Sequence, residues 1–357
     1  AEEQAEVDDI FQHGGVLFRH SFDAIRQDRW KVRDFEQAFA KSMGVPHALA
    51  VTSGTAALRV ALAVLDLQPG DEVITQSFTF VATVEAIIES GAIPVCADID
   101  GTLNLDPDSL KKLITPKTKA VIAVHMLGTP ANLFEIEKIC LDNKITLIED
   151  AAWGCGGSLD SRPLGAWGRM GTFSFDFAKT MTTGEGGMVV TESAEIARTL
   201  RLLRNQGQEI RYRNEIIGFN TRMTDIHAAI GRVQLAKLPA WTKQRQDNAK
   251  FLNENLKGIV VPPVAPGAVH VYHQYTIRVV DQDRDAFAEE IGKRGIGSGV
   301  YYPIPNHRLP SYGLTMDLPE TELAAKQALS LPVHPSLSQG DLEKIVEVVN
   351  AVASAGA

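Results

Sequence analysis

The chain is short of every residue pattern that would send it to a membrane, a nucleic acid or an oxidising compartment. Among 357 residues there are three cysteines, Cys96, Cys140 and Cys155. An odd count without a CxxC pair excludes a disulfide framework and the usual zinc spacings, so no metal is expected. The three read as small buried hydrophobes, and the expected setting is a reducing cytoplasm. No apolar run is long enough to span a bilayer. Ala1 to Glu6 lack the basic and apolar regions of a signal peptide. The formal net charge is −9 and no Lys/Arg block occurs, which excludes a nucleic-acid footprint. Hydrophobic residues are plentiful at 45%, enough for a large core and a second, smaller one.

From about residue 45 to 150 the pattern alternates helix and strand. Helices are expected over 55–67, 79–90, 108–114 and 131–143. Strands are expected over 71–74, 94–97, 119–125 and 145–148. Short apolar strands separated by helices predict an α/β fold, with a mainly parallel sheet covered on both faces. Ligands of such sheets bind beyond the carboxyl ends of the strands. After residue 191 helices are expected over 194–204, 224–238 and 240–256, the last two separated at Pro239. The Pro- and Gly-rich stretch 261–267 marks a boundary. The chain therefore divides into a large domain, 1–258, and a smaller α+β C-terminal domain, 259–357. In the latter a strand is expected over 275–279, with helices over 284–293 and 342–352.

Three features carry chemistry. Lys179 follows Phe173-Ser174-Phe175 and precedes the glycine-rich Gly184-Glu185-Gly186-Gly187. Asp150 ends the apolar run Ile145-Thr146-Leu147-Ile148-Glu149. Ser53-Gly54-Thr55 opens a helix, where free N–H groups and partial positive charge suit a phosphate; simple N-capping is the alternative. An amine, a strand-end acid and a phosphate turn are what a chain needs to hold pyridoxal phosphate (PLP). The lysine would form a Schiff base with the aldehyde, and the acid would pair with the pyridine nitrogen. Ser174 is a further phosphate donor in this scheme. Phe78 or Phe80 could stack on the ring, with core packing as the alternative for either.

Taken together, these segments resemble the DegT/StrS-type sugar aminotransferases, a fold-type I PLP family. The match also runs through Ser77–Thr83, Gly218–Asp225, Tyr302–His307 and Leu331–Pro335, so it covers the chain from about Gly15 onward. The resemblance implies the type I PLP-transferase fold and PLP as cofactor. It implies Lys179 as Schiff-base lysine and proton shuttle, and Asp150 holding the ring nitrogen protonated. Phe80 stacks on the ring, and Ser53, Gly54, Thr55 and Ser174 hold the phosphate. Asn220, with Arg222 as the second choice, reaches the phosphate of a neighbouring subunit, so that sites are shared in a homodimer. Trp153 stands where the family has Gln or His near the cofactor's phenolic oxygen. Asp176-Phe177 replaces a usual His-Pro, and Tyr301 a frequent His. Dehydrase relatives put His at the lysine position; Lys179 therefore favours transamination.

The expected reaction is a ping-pong transfer from glutamate or glutamine to a keto sugar, in amino-sugar or lipopolysaccharide biosynthesis. Desolvation and cation neighbours would lower the Lys179 pKa toward neutrality. Arg19, Arg213, Tyr301 and His307 are the candidate sugar contacts. The alternatives are a PLP-dependent lyase or dehydrase relative, and a PLP-binding regulatory protein. A desulfurase would need a cysteine on a mobile loop, and a DNA-binding regulator a basic helix-turn-helix; neither is visible.

Overall fold

The structure, a computed structural model, describes residues 1–17 and 23–355. Arg19 lies outside the described residues. Seven strands form the central sheet: β1 (His47–Val51), β2 (Glu72–Gln76), β3 (Ile93–Ala97), β4 (Thr118–Val124), β5 (Thr146–Asp150), β6 (Met170–Ser174) and β7 (Gly187–Thr191). Their spatial order is β1-β7-β6-β5-β4-β2-β3. Only β7 runs against its neighbours, pairing antiparallel with β6 and β1.

The alternation of side chains along each strand builds two cores from one sheet. In β1, Ala48 and Ala50 face one core while Leu49 and Val51 face the other. In β4, Val121 and Ala123 oppose Ala120 and Ile122 in the same way. Helices α1 (Lys31–Met43) and α2 (Leu133–Asn143) cover the first face, with Phe35, Phe39, Leu133 and Ile136 fully buried. Helix α3 (Gly54–Ala63) and the helices at Val81–Glu89 and Ala194–Leu203 cover the second. This is the α/β architecture read from the sequence.

Two expectations change. The segment 225–255 is one helix, α4 (Asp225–Asn255), with Pro239 inside it, rather than two. Leu238 packs into the first core and Ala249 and Leu252 into a third, so burial holds both halves in line across the proline. An exposed hairpin, Gln208–Ile210 with Arg213–Asn214, interrupts the helical stretch after residue 191. The third core also takes the paired strands β8 (Tyr275–Arg278) and β9 (Ala328–Leu331), the helix Arg284–Lys293 and the closing helix Gln339–Ala355. No helix among the described residues is long and apolar enough to cross a membrane.

A buried ion pair fastens α1 to the sheet. Arg204 Nη1 bonds Glu36 and the Ala50 carbonyl (2.8 Å), and Glu36 accepts the Ala50 N–H (3.0 Å). Removing one member leaves its partner charged and buried. Glu36→Ala is accordingly expected to lower the unfolding free energy by about 3–5 kcal/mol, read from the urea midpoint. A loss under about 1 kcal/mol would show that the pair contributes little beyond surface ion pairs.

Candidate active site

The carboxyl ends of β5 and β6, the start of α3 and two C-terminal segments enclose one cleft of about 1090 Å³, its open mouth included. Ser53, Gly54, Thr55, Phe80, Asp150, Trp153, Ser174, Lys179 and Tyr301 all line it. Residues from seven places in the sequence thus meet at the rim where parallel sheets bind ligands.

Adjacent acids at the end of β5 are sent to opposite faces. Glu149 turns away and is saturated by the N–H groups of Gly165 (2.7 Å), Trp167 (2.6 Å) and Gly168 (2.7 Å), with His125 Nε2 at 2.9 Å. Asp150 turns to the cleft, where Oδ2 accepts from Thr83 Oγ1 (2.9 Å) and Oδ1 from Ala152 N–H (3.1 Å). Burial raises its pKa; the Thr83 and Ala152 hydrogen bonds, Lys179 and His125 pull the other way. No cation lies within ion-pair distance of Asp150 among the described residues.

Lys179 is largely buried beside it. Its Nζ sits 4.8 Å from the centre of the Trp153 ring and 4.0 Å from Asp176 Oδ2. Burial lowers its pKa, and wins over the opposing pull of Asp176 and Asp150. The expected cation neighbours are corrected here: the charges beside this amine are carboxylates, and desolvation alone does the lowering.

At the other end of the cleft Ser53 Oγ caps α3 by accepting the Ala56 N–H (3.1 Å). Gly54 has no room for a side chain, since a Cβ there would stand 2.6 Å from Ser174 Cβ. The helix N-terminus and Ser174 therefore press together into a cradle of N–H and hydroxyl groups. Phe78 is fully buried, whereas Phe80 is half-exposed on the cleft wall, 6.1 Å from the Tyr302 ring.

The other sequence candidates go elsewhere. His307 does not reach the cleft: its ring is fully buried, with Nδ1 against Ser77 Oγ (2.7 Å) and Nε2 against Glu322 (3.2 Å). Its neighbour Asn306 donates to the Thr79 carbonyl (3.0 Å), so this stretch braces the loop carrying Phe80. Arg213 stands on the exposed hairpin, and Asn220 on the exposed end of the same segment; neither lines the cleft of its own chain. Sequence reasoning missed Thr83, Asp176, Tyr302, His273 and Gln274, all of which line it. Thr83 and Asp176 lay inside quoted motifs, and a three-residue helical step from Phe80 was the available signal for Thr83. His273 and Gln274 carried none.

Cys96, Cys140 and Cys155 are free and buried, with burial pushing each thiol up to about 12. No metal-ligating cluster occurs among the described residues.

A buried lysine, a buried acid without a cation and a helix-end cradle on an α/β rim define a type I PLP-dependent transferase, and the donor set fits that cofactor. The chain belongs to the DegT/DnrJ/EryC1/StrS aminotransferase family, which it matches over residues 22–350. It is 37% identical over 323 residues to UDP-N-acetyl-3-dehydro-alpha-D-glucosamine 3-aminotransferase of Acidithiobacillus ferrooxidans, covering 89% of this chain and 87% of that one. It is also 37% identical over 330 residues to a protein of Geobacillus stearothermophilus named pleiotropic regulatory protein, covering 89% and 88%. Spr1654 of Streptococcus pneumoniae, solved in its PLP form, superposes with a TM-score of 0.91 at 26% identity, covering 100% and 97%. This protein is a PLP-dependent aminotransferase.

Proposed function

We propose that the acceptor is a keto sugar, that glutamate or glutamine is the amino donor, and that Lys179 and Asp150 carry the chemistry. The observation that bears most weight is the placement of Lys179 Nζ and the Asp150 carboxylate in one buried cleft, with the α3 N-terminus at its far end. PLP, when bound, supplies an aldehyde that takes up nitrogen and a heterocycle that accepts electrons. Asp150, short of a cation, would hold the ring nitrogen protonated. Gly54, Thr55 and Ser174 would bind the phosphate, with Ser53 ordering the turn. Phe80 would cover one ring face. Lys179 would hold the cofactor and, once displaced, carry a proton between substrate and cofactor carbons. Its lowered pKa serves that role, because a shuttle must also exist as free amine.

The same reading makes the enzyme a homodimer with shared sites. Asn220 and Arg222 run beside the strand that leads into the Ser53 turn but do not line their own cleft, and Ile210 and Tyr212 on the adjoining hairpin, with Ile217 just after it, expose apolar surface. Arg213 would meet the sugar only from that neighbouring subunit, whereas Tyr301 lines the cleft of its own chain and would meet it from there. A division into a large domain, 1–258, and a small one, 259–357, is supported by the third core, although α4 contributes Ala249 and Leu252 to it.

The name of the Geobacillus relative keeps the regulatory reading in view, and one experiment separates the two. Purified PLP-loaded protein mixed with glutamate or with glutamine should lose its visible absorbance and release the matching 2-oxo acid within one turnover. Cofactor bound without that half-reaction would favour a regulator. A panel of nucleotide-linked 3-keto and 4-keto sugars and a keto-octulosonate, offered to the aminated enzyme, then reads out the acceptor.

A further inference from the structure

His273 has no structural reason for its hydrogen-bonding state. It sits on the segment 270–274, which is fixed from both sides. Val271 N–H donates to Gly128 O (3.0 Å) and Gln274 N–H to Leu127 O (3.2 Å). Arg245 Nη1 donates to the carbonyls of Tyr272 (3.1 Å) and His273 (3.4 Å). Gly128, at φ +98, lets the two stretches touch, since a Cβ there would stand 3.0 Å from both His273 N and Trp153 O. The backbone is thus held, and the ring lies edge-on to Trp153 with centroids 4.9 Å apart. The residue is 6% exposed and lines the cleft. Its Nδ1 is buried with no partner, and Nε2 makes no hydrogen bond to any described residue. Buried polar groups in folded proteins are normally paired, and one left alone costs stability.

We propose that His273 is a specificity residue whose Nε2–H, presented at the cleft wall beside Trp153, donates a hydrogen bond to a hydroxyl or carbonyl oxygen of the acceptor. The proposal rests on the keto-sugar reading above. Orphaned buried N–H groups are rarer than unused acceptors, so the proton belongs on Nε2 and the bare lone pair on buried Nδ1. Burial first, then the charges of Lys179 and Arg245 and the nearby His270, hold the ring's pKa well below its usual value. His270 is itself held neutral, its pKa lowered to about 3 by burial. A permanently neutral donor suits an uncharged sugar oxygen; the carboxylates of an amino-acid donor call for charge-assisted partners.

Two measurements test this. Nitrogen-15 spectra of histidine-labelled PLP-bound enzyme should show His273 as the neutral Nε2–H tautomer from pH 6 to 8. An imidazolium, or a proton on Nδ1, would overturn the proposal without any acceptor being known. Single-turnover kinetics form the second arm, with UDP-N-acetyl-3-dehydro-α-D-glucosamine and dTDP-4-dehydro-6-deoxy-D-glucose as acceptor probes. His273→Ala should slow the acceptor half-reaction about 10- to 100-fold, the worth of one lost hydrogen bond from a desolvated donor. The glutamate half-reaction should fall less than about threefold, and His273→Gln should recover most of the acceptor loss. Equal slowing of both halves, or no rescue by glutamine, would make His273 a packing residue. Failure of the wild-type amino-donor step with both glutamate and glutamine would instead strike the proposed function itself.

Discussion

Lys179→Ala is expected to abolish amino transfer, with a loss of at least about 10⁴-fold in the glutamate half-reaction. The variant should also lack the visible absorbance of lysine-bound PLP. The magnitude follows from two roles lost together. In the proposed role the amine is the covalent anchor of the cofactor, and once released it is a base whose pKa burial lowers, whereas burial raises that of the Asp150 carboxyl. Asp176, 4.0 Å away, does not replace it, because a carboxylate can take a proton but cannot form the covalent link. Lys179→Arg should fare no better: the guanidinium keeps the charge over Trp153 but never gives up its proton. Added methylamine should restore part of the proton-transfer rate in the alanine variant while leaving the anchor absent. Turnover within tenfold of wild type in Lys179→Ala would refute the assignment.

How legible was this site beforehand? Lys179, Asp150 and the Ser53–Thr55 turn could be read because each interrupts a regular pattern. Asp150 ends an apolar strand, Lys179 precedes three glycines, and the turn opens a helix. The sheet was legible for the same reason: buried parallel strands are short continuous apolar runs. What could not be read is what depends on the third dimension. β6 and β7 share a sheet edge with β1 across more than a hundred residues, and nothing local states that. Phe78 and Phe80 are alike in sequence; the turn before the helix at Val81 buries the first and exposes the second. His307 reads in the sequence as a candidate sugar contact near the small domain, yet burial and two hydrogen bonds have used its ring. His273 shows the opposite case, a residue without a motif whose meaning comes from a missing partner. Pro239 looked like a break, and packing on both sides overrode it.

The arrangement also explains why one acid and not its neighbour can serve the cofactor. Glu149 and Asp150 differ by one residue, so the pleat sends them to opposite faces. Glu149 meets three N–H groups and His125, which satisfy its oxygens with hydrogen bonds. Asp150 meets two donors and, among the described residues, no cation within ion-pair distance, which leaves it electrostatically unfinished. A buried carboxylate in that condition is costly to keep ionised. The protein tolerates the cost where a cationic ring would relieve it.

Asp150→Asn should therefore move activity and stability in opposite directions. With PLP bound, the amide cannot pair with a protonated ring nitrogen. Losing one desolvated ion pair is worth about 3–5 kcal/mol, so transfer should fall about 10²- to 10⁴-fold. Without cofactor the sign reverses. The Asp150 pKa is raised in the folded state above its ordinary 3.8, so the folded protein binds this proton more tightly than the unfolded chain. Its favourable contribution is present below that ordinary value and is lost as pH rises through the folded pKa. Asparagine has no such titration. The melting temperature of the cofactor-free variant, taken relative to wild type, should thus climb as pH goes from 4 to 7. Saturating PLP should then stabilise wild type more than the variant. The absolute offset is reduced because Thr83 Oγ1 and Ala152 N–H both donate to the carboxylate, and one of them loses its acceptor to the amide group. A melting-temperature difference that stays flat over this pH range would mean that Asp150 is not strained in the empty site. The case for it as the waiting counter-ion would then fall, even if the variant were inactive.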